Sequence, residues 1–248
     1  MRFVILSTGR SGNNMLMSAL ERHPRIACKG EVLSKGYYFP EIAQYWSLND
    51  AELAACRHLQ QQDPVAFLDR FVFTSRDPPK DVRGFRLLHS HQFPGGQPGL
   101  WQWLDAQRDI HIISLDRRNR LLQLLSWQTA KLTQQWLMMT PSKHSLPMVD
   151  ISREQLMTFV EAADAGRNAA LARLSNLRRL DVVYEDMVSD FDTQMSRVFD
   201  FLGVEAADVR PATLKQGGQP LRDRIRNFDT LRAEMRGMPY AWMLEESA

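Results

Sequence analysis

Short apolar runs alternate with longer amphipathic segments along this chain. Phe3-Val4-Ile5-Leu6 is a continuous apolar run closed by Ser-Thr-Gly, the pattern of a strand buried on both faces of a parallel sheet. Residues 13 to 22 follow at once with helical spacing, and His23-Pro24 stops them. Gly84–Leu88, Ile110–Leu115 and Leu180–Tyr184 predict further strands. A helix is expected from Arg118 to Trp136, and another after Ser152, where Ser-Arg-Glu-Gln forms a capping box. Phe191, Met195, Val198, Phe199 and Leu202 mark one helical face, with Gly203 as its stop. Strands alternating with helices predict an α/β fold with a central parallel sheet and helices on both faces. One domain spanning 1–248 is expected, with helical or loop insertions near 37–80 and 137–150.

Composition narrows the function classes. The 248 residues are 44% hydrophobic and 24% charged, an ordinary globular balance, and 31 basic against 29 acidic residues leave a formal charge of +2. A general nucleic-acid partner is not expected at that charge, so any bound anion must be held by a local cluster. Two cysteines, Cys28 and Cys56, make neither a disulfide framework nor a metal-ligand spacing. No run reaches the ~18 apolar residues of a membrane span, and the N-terminal run is too short for a signal peptide, so a cytoplasmic protein is expected.

The first strand runs into Ser7-Thr8-Gly9-Arg10-Ser11-Gly12-Asn13-Asn14 and then a helix. A glycine turn at a helix N-terminus presents free N–H groups and the positive end of the dipole to an anion. Gly9 and Gly12 permit close backbone approach, Arg10 adds a cation, and Ser11, Asn13 and Asn14 add donors. The motif is neither a Walker A loop nor G-x-G-x-x-G, because the Lys-Ser/Thr pair and the dinucleotide spacing are both missing. The same residues also read as an ordinary βα turn with a surface arginine.

Thr8 through Leu16 resembles the 5′-phosphosulfate loop of sulfotransferases that use 3′-phosphoadenosine 5′-phosphosulfate (PAPS). Arg117-Arg118-Asn119, with Ser126 eight residues after Arg118, resembles that family's 3′-phosphate motif. Tyr184-Glu185-Asp186-Met187 with the helix ending Phe201-Leu202-Gly203, and Lys215-Gln216 with Pro220 through Phe228, are similar to its later segments. The likeness is greatest to the bacterial carbohydrate type that acts on Nod factors. It runs from residue 3 to about 245, and residues 40 to 83 carry little of it. The resemblance implies a P-loop-like sulfotransferase fold, PAPS as cofactor, no metal, and an oligosaccharide or small-molecule acceptor; a homodimer is a family expectation.

It also implies a site. Gly9, Arg10, Ser11, Gly12, Asn13 and Asn14 would hold the phosphosulfate, with Asn13-Asn14 standing where many members carry Thr or Ser. Arg118, Ser126, Lys215 and Gln216 would hold the rest of the nucleotide, and Tyr184 the adenine, since Met15 stands where some members have an aromatic residue. If both were helical, Arg118 and Ser126 would lie ~12 Å apart along the axis and ~80° apart around it, so a shared phosphate needs Arg118 at the strand–helix junction. Cations at a helix start oppose the dipole unless an anion is present. Sulfuryl transfer then needs leaving-group stabilisation, assigned to Arg10 and the loop amides, and a base. Glu31, in Gly30-Glu31-Val32-Leu33, matches the position of the proposed base in the carbohydrate enzymes, and His89 and His91 are its rivals. The two histidines also read as a weak metal pair or as strand-end packing. Sulfation of a small natural product, a P-loop-like kinase and a degenerate nucleotide-binding protein stay as alternatives.

Overall fold

A computed structural model of the chain describes residues 1–34, 39–74, 80–89, 98–136, 146–212 and 219–245. Five strands form one sheet: β1 Arg2–Ser7, β2 Ile26–Lys29, β3 Val82–Leu88, β4 Ile110–Asp116 and β5 Arg179–Val183. Every pairing is parallel and the order is β2-β3-β1-β4-β5. β1 therefore lies at the centre, between β3 and β4. Its side chains alternate between two cores: Val4 and Leu6 face one with Phe85 and Leu87, and Phe3 and Ile5 face the other. Register sets Phe3 against Gly84. A Cβ at Gly84 would lie 2.5 Å from the Phe3 carbonyl oxygen, so this close approach needs glycine.

Helices α1 (Asn13–Glu21) and α9 (Phe191–Leu202) cover the Phe3–Ile5 face, where Leu16, Leu20, Val198, Phe199 and Leu202 are fully or nearly buried. The opposite face is covered by α2 (Pro40–Trp46), α3 (Asp50–Gln62), α4 (Pro64–Phe67) with a π-helical turn Leu68–Phe73, and α5 (Pro98–Ala106). Most of these helices fall in the stretch expected to be an insertion. Asn49 caps α3 through a full capping box with Glu52. A third core packs α6 (Arg120–Thr133) and α7 (Arg153–Arg173) against Ile225, Phe228 and Leu231 of the C-terminal segment, which includes α10 (Phe228–Glu234).

Two boundaries differ from the sequence reading. Tyr184 does not end β5 but opens the short helix α8 (Tyr184–Ser189). The helix expected from Arg118 to Trp136 runs from Arg120 to Thr133: the Asn119 side chain caps its start by accepting from the Leu122 N–H, and Gln134 ends it in a left-handed conformation. The Ser152 capping box and the Gly203 stop are both present, the latter at φ 63°. Among the described residues, no helix is long and apolar enough to cross a membrane.

Candidate active site at the first strand–helix turn

The end of β1 enters a turn with two left-handed residues, Arg10 at φ 64° and Gly12 at φ 86°. Gly12 is the N-cap of α1 and no side chain caps it; its carbonyl accepts the N–H of Met15 and Leu16. The first N–H groups of α1 have no partner within the helix, which leaves positive potential at its mouth. Tyr184 closes one side of this mouth. A Cβ on Gly12 would lie 2.3 Å from Tyr184 Cδ2, so glycine is required for space as well as for conformation.

The turn is braced from behind by Gln123 of α6, which is fully buried. Its Nε2 reaches Thr8 Oγ1 at 2.7 Å, the Gly9 carbonyl at 2.7 Å and Ser11 Oγ at 2.9 Å. Arg120 Nη1 donates to the Gln123 Oε1 at 3.1 Å, and Arg120 is itself paired with Asp116 and Asp164. Ser11 and Asn13 were expected as donors to the anion; both are buried, and their side chains meet the turn itself through Thr8 Oγ1 and the Thr8 carbonyl. What they offer an anion is backbone N–H.

Three guanidinium groups converge here. Arg10 donates from Nε to Ser126 Oγ at 2.9 Å and from Nη1 to the Trp136 carbonyl at 2.5 Å. Arg117 donates to the Arg10 carbonyl at 3.2 Å and its guanidinium lies 4.7 Å above the Tyr184 ring. Arg86 of β3 donates to Asn14 Oδ1 at 3.3 Å and pairs with Glu31 at 2.6 Å. Burial, then the charges of Arg117 and Arg86, push the Arg10 pKa below the ordinary arginine value. A bound anion relieves that repulsion. Arg118, by contrast, pairs with Asp186 and its side chain is 54% exposed, so the guanidinium on Ser126 is that of Arg10. The carboxylate of Glu185 accepts the backbone N–H groups of Arg118 and Asn119, both at 3.0 Å, and thereby fixes the link from β4 to α6.

Glu31 lies in a tight turn after β2, in which the N–H of Ser34 donates to its carbonyl at 2.9 Å. The neighbouring Arg86 N–H donates to the Gly30 carbonyl at 3.2 Å and ties this turn to β3. Arg86 thus joins the turn that carries Glu31 to the first turn of α1.

His89 follows β3 in alternation with Phe85 and Leu87, on the face opposite Arg86. It is 2% exposed and, among the described residues, neither ring nitrogen has a hydrogen-bond partner. Burial pushes its pKa down to about 4, against the attraction of Asp116. The unfolded chain binds this proton near pH 6.5, so stability is unaffected above that pH and falls as pH drops from about 6.5 to about 4. That loss amounts to about 3 kcal/mol if His89 acts alone. His89→Leu is expected to flatten this limb, read as the urea midpoint against pH. His91, Lys215 and Gln216 lie outside the described residues.

Arg86 and Gln123 do not stand out in the sequence reading, although a signal is present for both, and Arg117 enters it only as part of the Arg117-Arg118-Asn119 segment. Arg86 interrupts a strand that otherwise reads as buried, and Gln123 interrupts the run Leu-Leu-Gln-Leu-Leu on the inner face of α6. A polar group placed inside an apolar run must find a partner, and both find the site.

No protein-family model matches the chain. Nodulation protein H of Rhizobium tropici is 27% identical over 248 residues, covering 98% of this chain and 92% of that protein. Nodulation protein H of Rhizobium meliloti (strain 1021) is 27% identical over 249 residues, covering 98% and 94%. Among solved structures, the sulfotransferase domain of the Synechococcus PCC 7002 olefin synthase superposes with a TM-score of 0.54 at 16% identity, over 84% of this chain and 75% of that one. The sulfotransferase domain of the curacin biosynthetic pathway gives 0.52 at 16% identity, over 83% and 75%. The sheet order and its flanking helices are thus those of the sulfotransferase fold.

Proposed function

We propose, from the premise that this chain is a sulfotransferase of the family that includes the nodulation protein H sequences, that it moves a sulfuryl group from PAPS to a hydroxyl of a carbohydrate or glycolipid. The observation that carries the donor assignment is the convergence of Arg10, Arg86 and Arg117 on an uncapped helix N-terminus. A phosphosulfate adds negative charge where Arg117 and Arg86 repel Arg10, and the backbone N–H groups of residues 11 to 14 supply further donors. Ser126 is the hydroxyl partner for the nucleotide's 3′-phosphate, and Arg118 joins it by exchanging Asp186 for that phosphate. Lys215, Gln216 and the Tyr184 ring complete the nucleotide side.

In the transfer step Glu31 takes the proton of the acceptor hydroxyl. The hydroxyl oxygen bonds to sulfur as the bond from sulfur to the bridging phosphate oxygen breaks. Arg10 and the loop amides hold the charge that grows on the phosphate, and 3′,5′-adenosine bisphosphate (PAP) leaves. Trp127 and Trp136, 40% and 46% exposed, are the candidates for stacking on a sugar: Trp127 follows Ser126 in sequence with Lys131 over its ring, and the Trp136 carbonyl accepts from Arg10. The same rings would suit a small natural product.

PAP is expected to raise the thermal midpoint of the protein, with a stabilisation of about 2.7 kcal/mol at a concentration 100 times its Kd, while ATP with Mg²⁺ leaves the midpoint unchanged. No shift with PAP would overturn the donor assignment. Incubation with ³⁵S-labelled PAPS and a panel of oligosaccharides, glycolipids and phenols then identifies the acceptor. Labelling confined to phenols rejects the carbohydrate reading, and labelling of none rejects the transferase reading of the site.

A further inference from the structure

We infer that Arg86 is a positioning residue for the transfer step: it sets the angle and distance of Glu31 from the bound sulfuryl group. The inference rests on the functional reading above. Arg86 stands on β3, in the interior of the sheet order, with only 15% of its side chain exposed. Its two Nη groups go to different parts of the site. One meets Glu31 Oε2 at 2.6 Å and the other meets Asn14 Oδ1 at 3.3 Å on the first turn of α1. The planar fork therefore fixes the carboxylate relative to the helix N-terminus that holds the donor.

An arginine kept only for packing does not fit these contacts. Its Nε is buried and has no hydrogen-bond partner among the described residues. A half-buried ion pair adds little net stability over an apolar pair of the same volume, because both ions lose hydration. Arg86 also adds to the positive field on Arg10, which is unfavourable in the free protein. What the arrangement does provide is geometry. One Nη meets one carboxylate oxygen of Glu31, and the other oxygen takes the acceptor proton in the proposed step. A base misplaced by about 1 Å loses on the order of 10²-fold in rate.

The test is a double-mutant cycle on transfer from ³⁵S-labelled PAPS to the panel member that the native protein labels best. Arg86→Met is expected to lower kcat by about 10- to 100-fold and to raise the donor KM by a clearly smaller factor, since Arg86 also belongs to the cation cluster at the donor site. Arg86→Lys, which keeps the charge and loses the fork, is expected to fall between the two. In the Glu31→Gln background Arg86→Met is expected to have no further effect, since nothing remains to be positioned. The inference is overturned if Arg86→Met turns over normally, if it raises the donor KM while kcat is kept, or if its defect multiplies that of Glu31→Gln. Should Arg86→Met fail to fold, the same cycle with Arg86→Lys decides by the same criteria. Failure of the functional reading looks different: Glu31→Gln itself then transfers at the native rate, or no panel member is labelled.

Discussion

Glu31→Gln is expected to slow sulfuryl transfer by about 10²- to 10⁴-fold, the usual contribution of a general base, while the Kd for PAP stays within about twofold. The substitution keeps the size of the side chain and an oxygen in the place that faces Arg86 Nη2. What it removes is the capacity to take a proton, so the loss appears in kcat and not in donor binding. Single-turnover transfer of labelled sulfate measures the first, and calorimetric titration with PAP the second. Near-native transfer would move the base to His89 or His91. For His89 that role needs its imidazole to be reached from the sheet face opposite Arg86, where it is now 2% exposed and held neutral by burial.

Gly12→Ala is expected to have the largest combined effect on stability and donor binding. The added Cβ would stand 2.3 Å from Tyr184 Cδ2, and the backbone at φ 86° disfavours any side chain. Left-handed strain and overpacking together predict a loss of about 2–4 kcal/mol in unfolding free energy. The Tyr184 ring cannot yield alone, because the Arg117 guanidinium lies 4.7 Å above it and donates in turn to the Arg10 carbonyl. Displacing the ring therefore moves two of the three converging cations, and affinity for PAP should fall at least about tenfold. Gly9→Ala is the comparison: its Cβ meets nothing within 4 Å and it has no positive φ, so its unfolding midpoint should be nearly native. Equal midpoints for the two variants would show that the Gly12–Tyr184 contact does not constrain the turn.

Local physics accounts for most of the fold that could be read along the chain. Buried parallel strands announce themselves as unbroken apolar runs, and β1, β3 and β4 do so. Ser152 with Gln155, and Gly203 in its left-handed conformation, mark a helix start and a helix stop through contacts a few residues long. The glycine turn of residues 8 to 14 belongs to the same class, since strand, turn and helix N-terminus are consecutive. The helices between residues 40 and 73 are legible only as a helical or loop insertion, because aromatic and apolar residues there read as general packing, although the Asn49–Glu52 box marks the start of α3.

The amino-acid order alone thus determined an alternating α/β chain and a glycine turn at Arg10 that joins the first strand to a helix, while Glu31 as base came from the resemblance to carbohydrate sulfotransferases. Only the tertiary structure decided which charges share that turn. Arg10 meets Ser126 across 116 positions, Gln123 meets Gly9 across 114, and Arg86 meets Asn14 across 72. These meetings depend on β3 and β4 lying on either side of β1, an order in which spatial neighbours are not sequence neighbours. Periodicity reports which face of an element is buried; it carries no information on which distant face lies opposite. The same reason explains Arg118, whose spacing from Ser126 suited a shared phosphate while the fold set Asp186 beside it and brought Arg10 to Ser126.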